Sequence, residues 1–332
     1  MTEALLDIEH LQIDLPPRTR QGELRRVIHD VTLTVAPGQS LGLVGESGSG
    51  KSMTAKAVTG LLPRGAVVNG GLRFRGQDIR GFDRKRWSAF RARDVSTIYQ
   101  DPRAHTNPLV TIGDFLVEGV VGAKQLSRRD ALERAAALLR EVGISDPARR
   151  LRQYPHELSG GLLQRVMIVM ALMSSPQLVL ADEPTTALDV TVQADVVAIL
   201  LEQLRERSIG MLFITHDLDL AAAINDQLAV MYAGVVVEQG PAADIVAAPR
   251  HPYTAGLLRS RPSLDTVEQL AAIPGRPMSA FEVGRGCVFA SRCRFAVDEC
   301  TAERPAARQI GTHTVACHRA EQVADQMVGE LA

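Results

Sequence analysis

A change of texture between residues 41 and 63 constrains this chain more than any other feature. A short apolar run, Leu41 to Val44, gives way to Gly45-Glu46-Ser47-Gly48-Ser49-Gly50-Lys51-Ser52, and then to a helix-forming stretch that stops before Pro63. Strand, Gly-rich turn and helix in that order are the setting in which the pattern G-x-x-x-x-G-K-[ST] holds phosphate. Gly45, Gly48 and Gly50 let the backbone curl so that successive N–H groups face one anion. The start of the following helix adds its positive end. Lys51 supplies a compact, mobile ammonium for the β and γ phosphates, and the Ser52 hydroxyl is placed to ligate Mg²⁺. Lysine is scarce here against 37 basic residues in all, so its use at this position suits a point charge rather than a guanidinium fork.

A second apolar strand, Leu178 to Ala181, runs into Asp182-Glu183. A strand that apolar does not tolerate a carboxylate in its middle, so it delivers the charge at its carboxyl edge, where open α/β sheets bind ligands. Asp182 is expected to hold Mg²⁺ through water, and Glu183 to orient or deprotonate the attacking water. The plain alternative is a solvated turn through Glu183-Pro184-Thr185-Thr186, which placement directly after a buried strand disfavours.

Around these motifs the chain alternates strands and helices. Leu6 to Leu15 and Val27 to Val35 are expected strands separated by the polar loop Pro16 to Arg26. From about Gln100 to Pro176 the pattern is helical: Ser127 can cap a helix with Leu132, Ala136, Leu139 and Val142 on one face and Gly143 as its stop. Met211 to Thr215 is a further strand after a helix from about Thr191 to Glu206, and this βαβ rhythm implies a parallel sheet covered by helices. Leu228 to Tyr232 and Val235 to Gln239 form an expected hairpin about Ala233-Gly234. Beyond Gly240 the composition turns to Pro, Arg and Cys, which places a boundary there. Residues 1–240 form one expected domain, with a helical subdomain at about 100–176, and residues 241–332 form a C-terminal extension. No internal repeat is present.

Leu158-Ser159-Gly160-Gly161-Leu162-Leu163-Gln164-Arg165-Val166 adds a second Gly-rich helix start, ahead of a helix from about Leu162 to Met173. With the phosphate loop before it and Asp182-Glu183 after it, the chain resembles the ABC-type ATPases. That resemblance implies a RecA-like P-loop NTPase core with an antiparallel β subdomain and a helical subdomain. It further implies that Ser159, Gly160 and Gly161 contact the γ-phosphate held by the phosphate loop of a different subunit, so that two subunits close head to tail around two nucleotides. Gln100, in Thr97-Ile98-Tyr99-Gln100-Asp101-Pro102, is similar to the glutamine that senses Mg²⁺ and the attacking water. Ala187-Leu188-Asp189 resembles the loop through which the two sites communicate. His216, in Ile214-Thr215-His216-Asp217, resembles the switch histidine that contacts the γ-phosphate.

After residue 230 the resemblance narrows. Met231-Tyr232-Ala233-Gly234, Pro249-Arg250-His251-Pro252-Tyr253-Thr254, Gly286-Cys287 and Cys317-His318 look like the oligopeptide and dipeptide permease ATPases, bacterial ABC importers. In that branch the ATPase pairs with a sister ATPase, docks on two membrane permease subunits at the cytoplasmic face, and serves an extracytoplasmic binding protein. Residues Gln100 to Pro108 would help form the groove for the permease. Three departures stand out. Leu15 takes the place of the aromatic residue that stacks on adenine, Leu162-Leu163 replaces Met and a polar residue, and Arg103-Ala104-His105-Thr106 replaces Met-Thr-Ser-Leu.

Cys287, Cys293, Cys300 and Cys317 are separated by five, six and sixteen residues, without a tight C-x2-C pair. Clustered thiols in an intracellular chain point to metal or redox chemistry before disulfides. Four thiolates suit a [4Fe–4S] cluster, Zn²⁺ is the alternative, and the permease branch carries the cluster at matching cysteines. Either metal would act as a staple for a loop-rich extension without a large core of its own.

The charge balance, 37 basic against 38 acidic residues, gives no field that recruits nucleic acid or anionic lipid. The first residues carry no secretory signal pattern, and the longest apolar run, Val166 to Met173, is under half of the roughly 20 residues a bilayer requires. With the resemblance above, the expected protein is a peripheral ATPase powering peptide uptake. A metal or glycan importer of the same design is the first alternative. A soluble ABC ATPase of ribosomes or DNA is the second, though the tandem cassettes and basic insertions of that class are missing.

Overall fold

Along Leu6–Leu15 the buried apolar side chains are Leu6 and Ile8, then Leu11 and Ile13. A strict alternation would have buried His10 and Gln12 instead. The phase changes at His10, whose φ is 48°, and the register with Val67–Phe74 shifts between Glu9 and Gln12. One extra residue in a ladder does this. Gly70 lies opposite with φ 88°, where a Cβ would stand 2.2 Å from the His10 carbonyl oxygen.

The computed structural model describes residues 3–17, 23–185, 189–260 and 272–329. Contacts divide the chain into two units. One comprises Leu6–Thr34, Ser40–Arg80 and Ile214–Ala332, and the other Met1–Leu5, Val35–Gln39 and Gly81–Phe213.

In the first unit the strands run Gln77–Asp78, Val67–Phe74, Leu6–Leu15, Arg25–Val35, Val235–Pro241, Gln227–Tyr232 and Ser40–Val44 in spatial order. Ser40–Val44 pairs parallel with Gln227–Tyr232, which pairs antiparallel with Val235–Pro241 through a turn at Ala233 and Gly234. Both turn residues have positive φ, 45° and 81°, the requirement of a two-residue hairpin loop that follows the sheet's twist. Val67–Phe74, whose Asn69-Gly70-Gly71 centre resembles a turn, is a strand that sequence patterning does not signal. Residues on both sides of position 240 share one apolar cluster, in which Val44, Val230 and Tyr232 pack with Tyr253, Val288 and Phe289.

In the second unit Val95–Ile98 pairs parallel with Leu178–Asp182, and Gly210–Thr215 lies on the other side of the latter. The helices Ile112–Gly122, Arg128–Glu141 and Gly160–Leu172 pack on one another. Ser127 caps Arg128–Glu141 by accepting from the Asp130 N–H, and Gly143 follows with φ 74°, as expected. The buried face matches expectation at Leu139 and Val142 and differs before them: Ala131, Ala135 and Leu138 face the core, while Leu132 and Ala136 are only partly covered. Both faces carry apolar residues at helical spacing, and contact with two neighbouring helices selects the one whose small alanines permit close approach. Among the described residues no helix is long and apolar enough to cross a membrane.

Candidate nucleotide-binding site

The phosphate loop is built so that side chains are excluded where the backbone must turn. At Gly45, φ is 155° and a Cβ would stand 2.1 Å from the Met231 carbonyl oxygen. At Gly50, φ is 112° and a Cβ would meet Ile28 at 2.6 Å and Met231 at 2.7 Å. Gly48 has open space around it and needs glycine only for its φ of 81°. Gly50 caps the helix Lys51–Thr59 in the left-handed conformation, with no side-chain cap on the first turn. The amide donors there suit an anion.

Lys51 is buried, and its Nζ donates to the carbonyl oxygens of Gly45 at 2.7 Å and Glu46 at 3.1 Å. Folding therefore draws the ammonium over the loop itself. The Ser49 carbonyl accepts from the Gly234 N–H at 2.8 Å, and the Gly234 carbonyl accepts from the His29 N–H at 2.8 Å. The hairpin turn at Ala233-Gly234 thus braces the loop. Ser47 is part of the loop, and Ser52 is exposed on the first turn of the helix.

Glu46 behaves differently from its neighbours. Its carboxylate accepts from Arg292 Nη1 at 2.7 Å and Nη2 at 3.3 Å, and its N–H donates to the Tyr253 hydroxyl at 2.9 Å. The side chain is committed to residues beyond 240 rather than to the loop's concave side. Sequence patterning gives no signal for Arg292, and it marks Tyr253 only as part of a resemblance.

In the other unit Gln100 Nε2 donates to Glu183 Oε2 at 3.0 Å, which joins the two residues expected to handle the attacking water. Asp182 ends the strand Leu178–Asp182, half-buried like Glu183. Glu183 has φ 48°, a left-handed backbone that costs a non-glycine residue on the order of 1–3 kcal/mol and is kept where surroundings over-determine it. One such constraint is visible: the buried Gln164 amide donates to the carbonyl of Pro184 at 2.6 Å. Gln164 belongs to the helix that Ser159 begins.

Ser159 is the cap of Gly160–Leu172 and accepts from the Leu162 N–H at 3.4 Å. Gly160 and Gly161 thus lie inside the first turn rather than before the helix, which begins two residues earlier than expected. A Cβ on Gly161 would stand 2.6 Å from Val192 Cγ1. Asp189 caps Val190–Glu206 by accepting from the Val192 N–H, whereas Ala187 and Leu188 lie outside the described residues. His216, in the phosphate-loop unit, is exposed just after Gly210–Thr215. Along Gln100 to Pro108, the His105 ring stacks on Tyr99 at 3.9 Å between centroids, and Leu109 beyond it is 83% exposed.

Cys287, Cys293, Cys300 and Cys317 line one cavity with His251, Phe289 and His318. Burial pushes the Cys293 thiol up to about 11 and the Cys317 thiol up to about 12, with neighbouring thiols adding to the effect. Among the described residues no three Cys, His, Asp or Glu side chains are grouped so as to hold a metal ion. Four thiols are the donor set of either a [4Fe–4S] cluster or a structural Zn²⁺.

Comparison with known proteins gives the family of the chain. A family model described as ABC transporter matches residues 28–186, and one described as oligopeptide/dipeptide transporter, C-terminal region, matches residues 237–300. A putative peptide import ATP-binding protein of Brucella abortus is 43% identical, over 94% of this chain and 95% of its own length. The oligopeptide transport ATP-binding protein OppD of Escherichia coli is 41% identical over 91% and 89%. The dipeptide transport ATP-binding protein DppD of Bacillus subtilis is 39% identical over 98% of both chains. Among solved structures, cbiO1 of Clostridium perfringens superposes with a TM-score of 0.63 at 24% identity, covering 74% of this chain and 91% of that one. The dimeric ATP-binding cassette MJ0796 gives 0.62 at 22%, covering 71% and 98%. Both support the fold. The chain belongs to the ATP-binding subunits of ABC transporters, in the oligopeptide/dipeptide permease family.

Proposed function

We propose that this chain is the ATP-hydrolysing subunit of an importer of oligopeptides or dipeptides, working at the cytoplasmic face of the membrane. The observation that carries the reading is the glycine cradle at Gly45 and Gly50, which no side chain can enter, followed by the start of the helix Lys51–Thr59, whose N-cap is a glycine. The loop N–H groups and Lys51 hold the β and γ phosphates. Ser52, Gln100 and Asp182 are the residues that would hold Mg²⁺, and a bound Mg²⁺ would neutralise charge on the phosphates. Glu183, steadied by Gln100, orients the attacking water and accepts its proton. His216 contacts the γ-phosphate. Ser159, Gly160, Gly161 and Asp189 serve the nucleotide of a partner subunit, so that ATP closes a dimer and hydrolysis reopens it. The partners are a sister ATPase or a second copy, two permease subunits, and a binding protein that acts through them.

Cys287, Cys293, Cys300 and Cys317 hold a [4Fe–4S] cluster that staples the C-terminal segment, supported by their shared cavity. Anaerobically purified protein is expected to contain about four irons per chain, and Cys317→Ser to lose them. Zinc without iron in that preparation would overturn the assignment.

Glu183→Gln tests the hydrolytic role. The account predicts a fall in ATP turnover of at least about 100-fold with ATP binding retained. Turnover at the wild-type rate would remove Glu183 from the role.

A further inference from the structure

Arg292 lies 246 residues from Glu46 in the chain, yet its side chain is 4% exposed and donates to both Glu46 carboxylate oxygens. Its Nε donates to the Pro274 carbonyl at 2.8 Å and its Nη2 to the Ile273 carbonyl at 3.3 Å. Its Nη1 also donates to the Tyr232 hydroxyl at 3.3 Å. The rings of Tyr232 and Phe289 flank the guanidinium at 5.7 and 5.9 Å. What remains of the fork grips both oxygens of Glu46. A planar guanidinium fixed by carbonyls on one edge and binding a carboxylate on the other is a clamp with little freedom.

Tyr253 makes a second hold on the same residue. Its hydroxyl accepts the Glu46 N–H, and its ring lies 4.6 Å from Tyr232 and 5.3 Å from Phe289. The backbone and side chain of Glu46 are therefore fixed by separate groups from beyond residue 240. Glu46 directly follows Gly45, the point of tightest backbone approach, and its carbonyl accepts from both Lys51 and the Ser49 N–H. Displacing Glu46 would move the acceptor that orients Lys51 and the first turn of the phosphate cradle.

We propose that Arg292, assisted by Tyr253, is a positioning residue for ATP binding: it fixes Glu46 and so holds the phosphate loop in its phosphate-accepting shape. This rests on the reading of Gly45 to Ser52 as the nucleotide site. It gives the C-terminal segment a function in the ATPase itself. Arg292 immediately precedes Cys293, so the segment that carries the thiols also carries the clamp.

The test is steady-state ATPase and ATP affinity of the full-length chain, with unfolding followed in parallel. Arg292→Gln should raise the KM for ATP about tenfold, with kcat changed less than about threefold. Arg292→Lys, which keeps the charge without the fork, should fall between that variant and the wild type. Tyr253→Phe keeps the ring and removes only the hydroxyl, and should raise KM about threefold; it serves even if Arg292→Gln fails to fold. Glu46→Gln combined with Arg292→Gln should lose less than the product of the two single effects. Wild-type KM in both Arg292→Gln and Tyr253→Phe, with only the unfolding temperature lowered, would overturn the positioning role. Failure of the wild type to bind ATP, or retention of binding by Lys51→Ala, would instead overturn the nucleotide-site reading.

Discussion

Glu183 and Gly161 show how single residues carry constraints that composition hides. Glu183 holds a left-handed backbone while Gln100 fixes its carboxylate and Gln164 fixes the next carbonyl. Its position is thus set by two side chains rather than by propensity. Gly161 sits within a helix with an ordinary backbone, so alanine there is conformationally acceptable. Its constraint is steric: a Cβ would press on Val192 Cγ1 at 2.6 Å. Gly161→Ala is therefore expected to destabilise the fold by about 1–3 kcal/mol through overpacking. Adding Val192→Ala should recover much of that loss in chemical denaturation. An unchanged midpoint in the single variant would show that the helix pair has slack that the geometry does not indicate.

At the scale of elements, legibility followed burial. Strands buried on both faces, such as Leu178–Asp182 and Ser40–Val44, show up as unbroken apolar runs, and the helix capped by Ser127 is visible from its cap and its stop. The strand Val67–Phe74 was hidden because Gly70 is demanded by the bulge opposite, at His10, rather than by a turn. Part of the burying face of Arg128–Glu141 was hidden because two apolar stripes compete and only tertiary contacts choose between them. Most of the candidate site was legible because phosphate chemistry requires small residues at fixed spacing. Its brace was not: Gly234, Tyr253 and Arg292 reach the loop by long-range hydrogen bonds to backbone atoms or to one carboxylate. No local pattern encodes such a contact.

At the scale of the whole molecule, the central claim is that one chain does not complete a reaction site. On the proposed reading the phosphate loop supplies the groups that hold a nucleotide, while Ser159, Gly160 and Gly161, at the start of a helix, serve a nucleotide held by another subunit. The C-terminal segment, matched to the transporter C-terminal region over residues 237–300, holds the loop through Arg292 and Tyr253. The most direct measurement is ATP turnover per chain on dilution, comparing the wild type with a variant in which Ser159 and Gly161 are both replaced. The account predicts that wild-type turnover per chain falls as dimers dissociate. It also predicts that the variant loses at least about 100-fold at every concentration while still binding ATP. Full turnover by a strictly monomeric preparation carrying both replacements would contradict it.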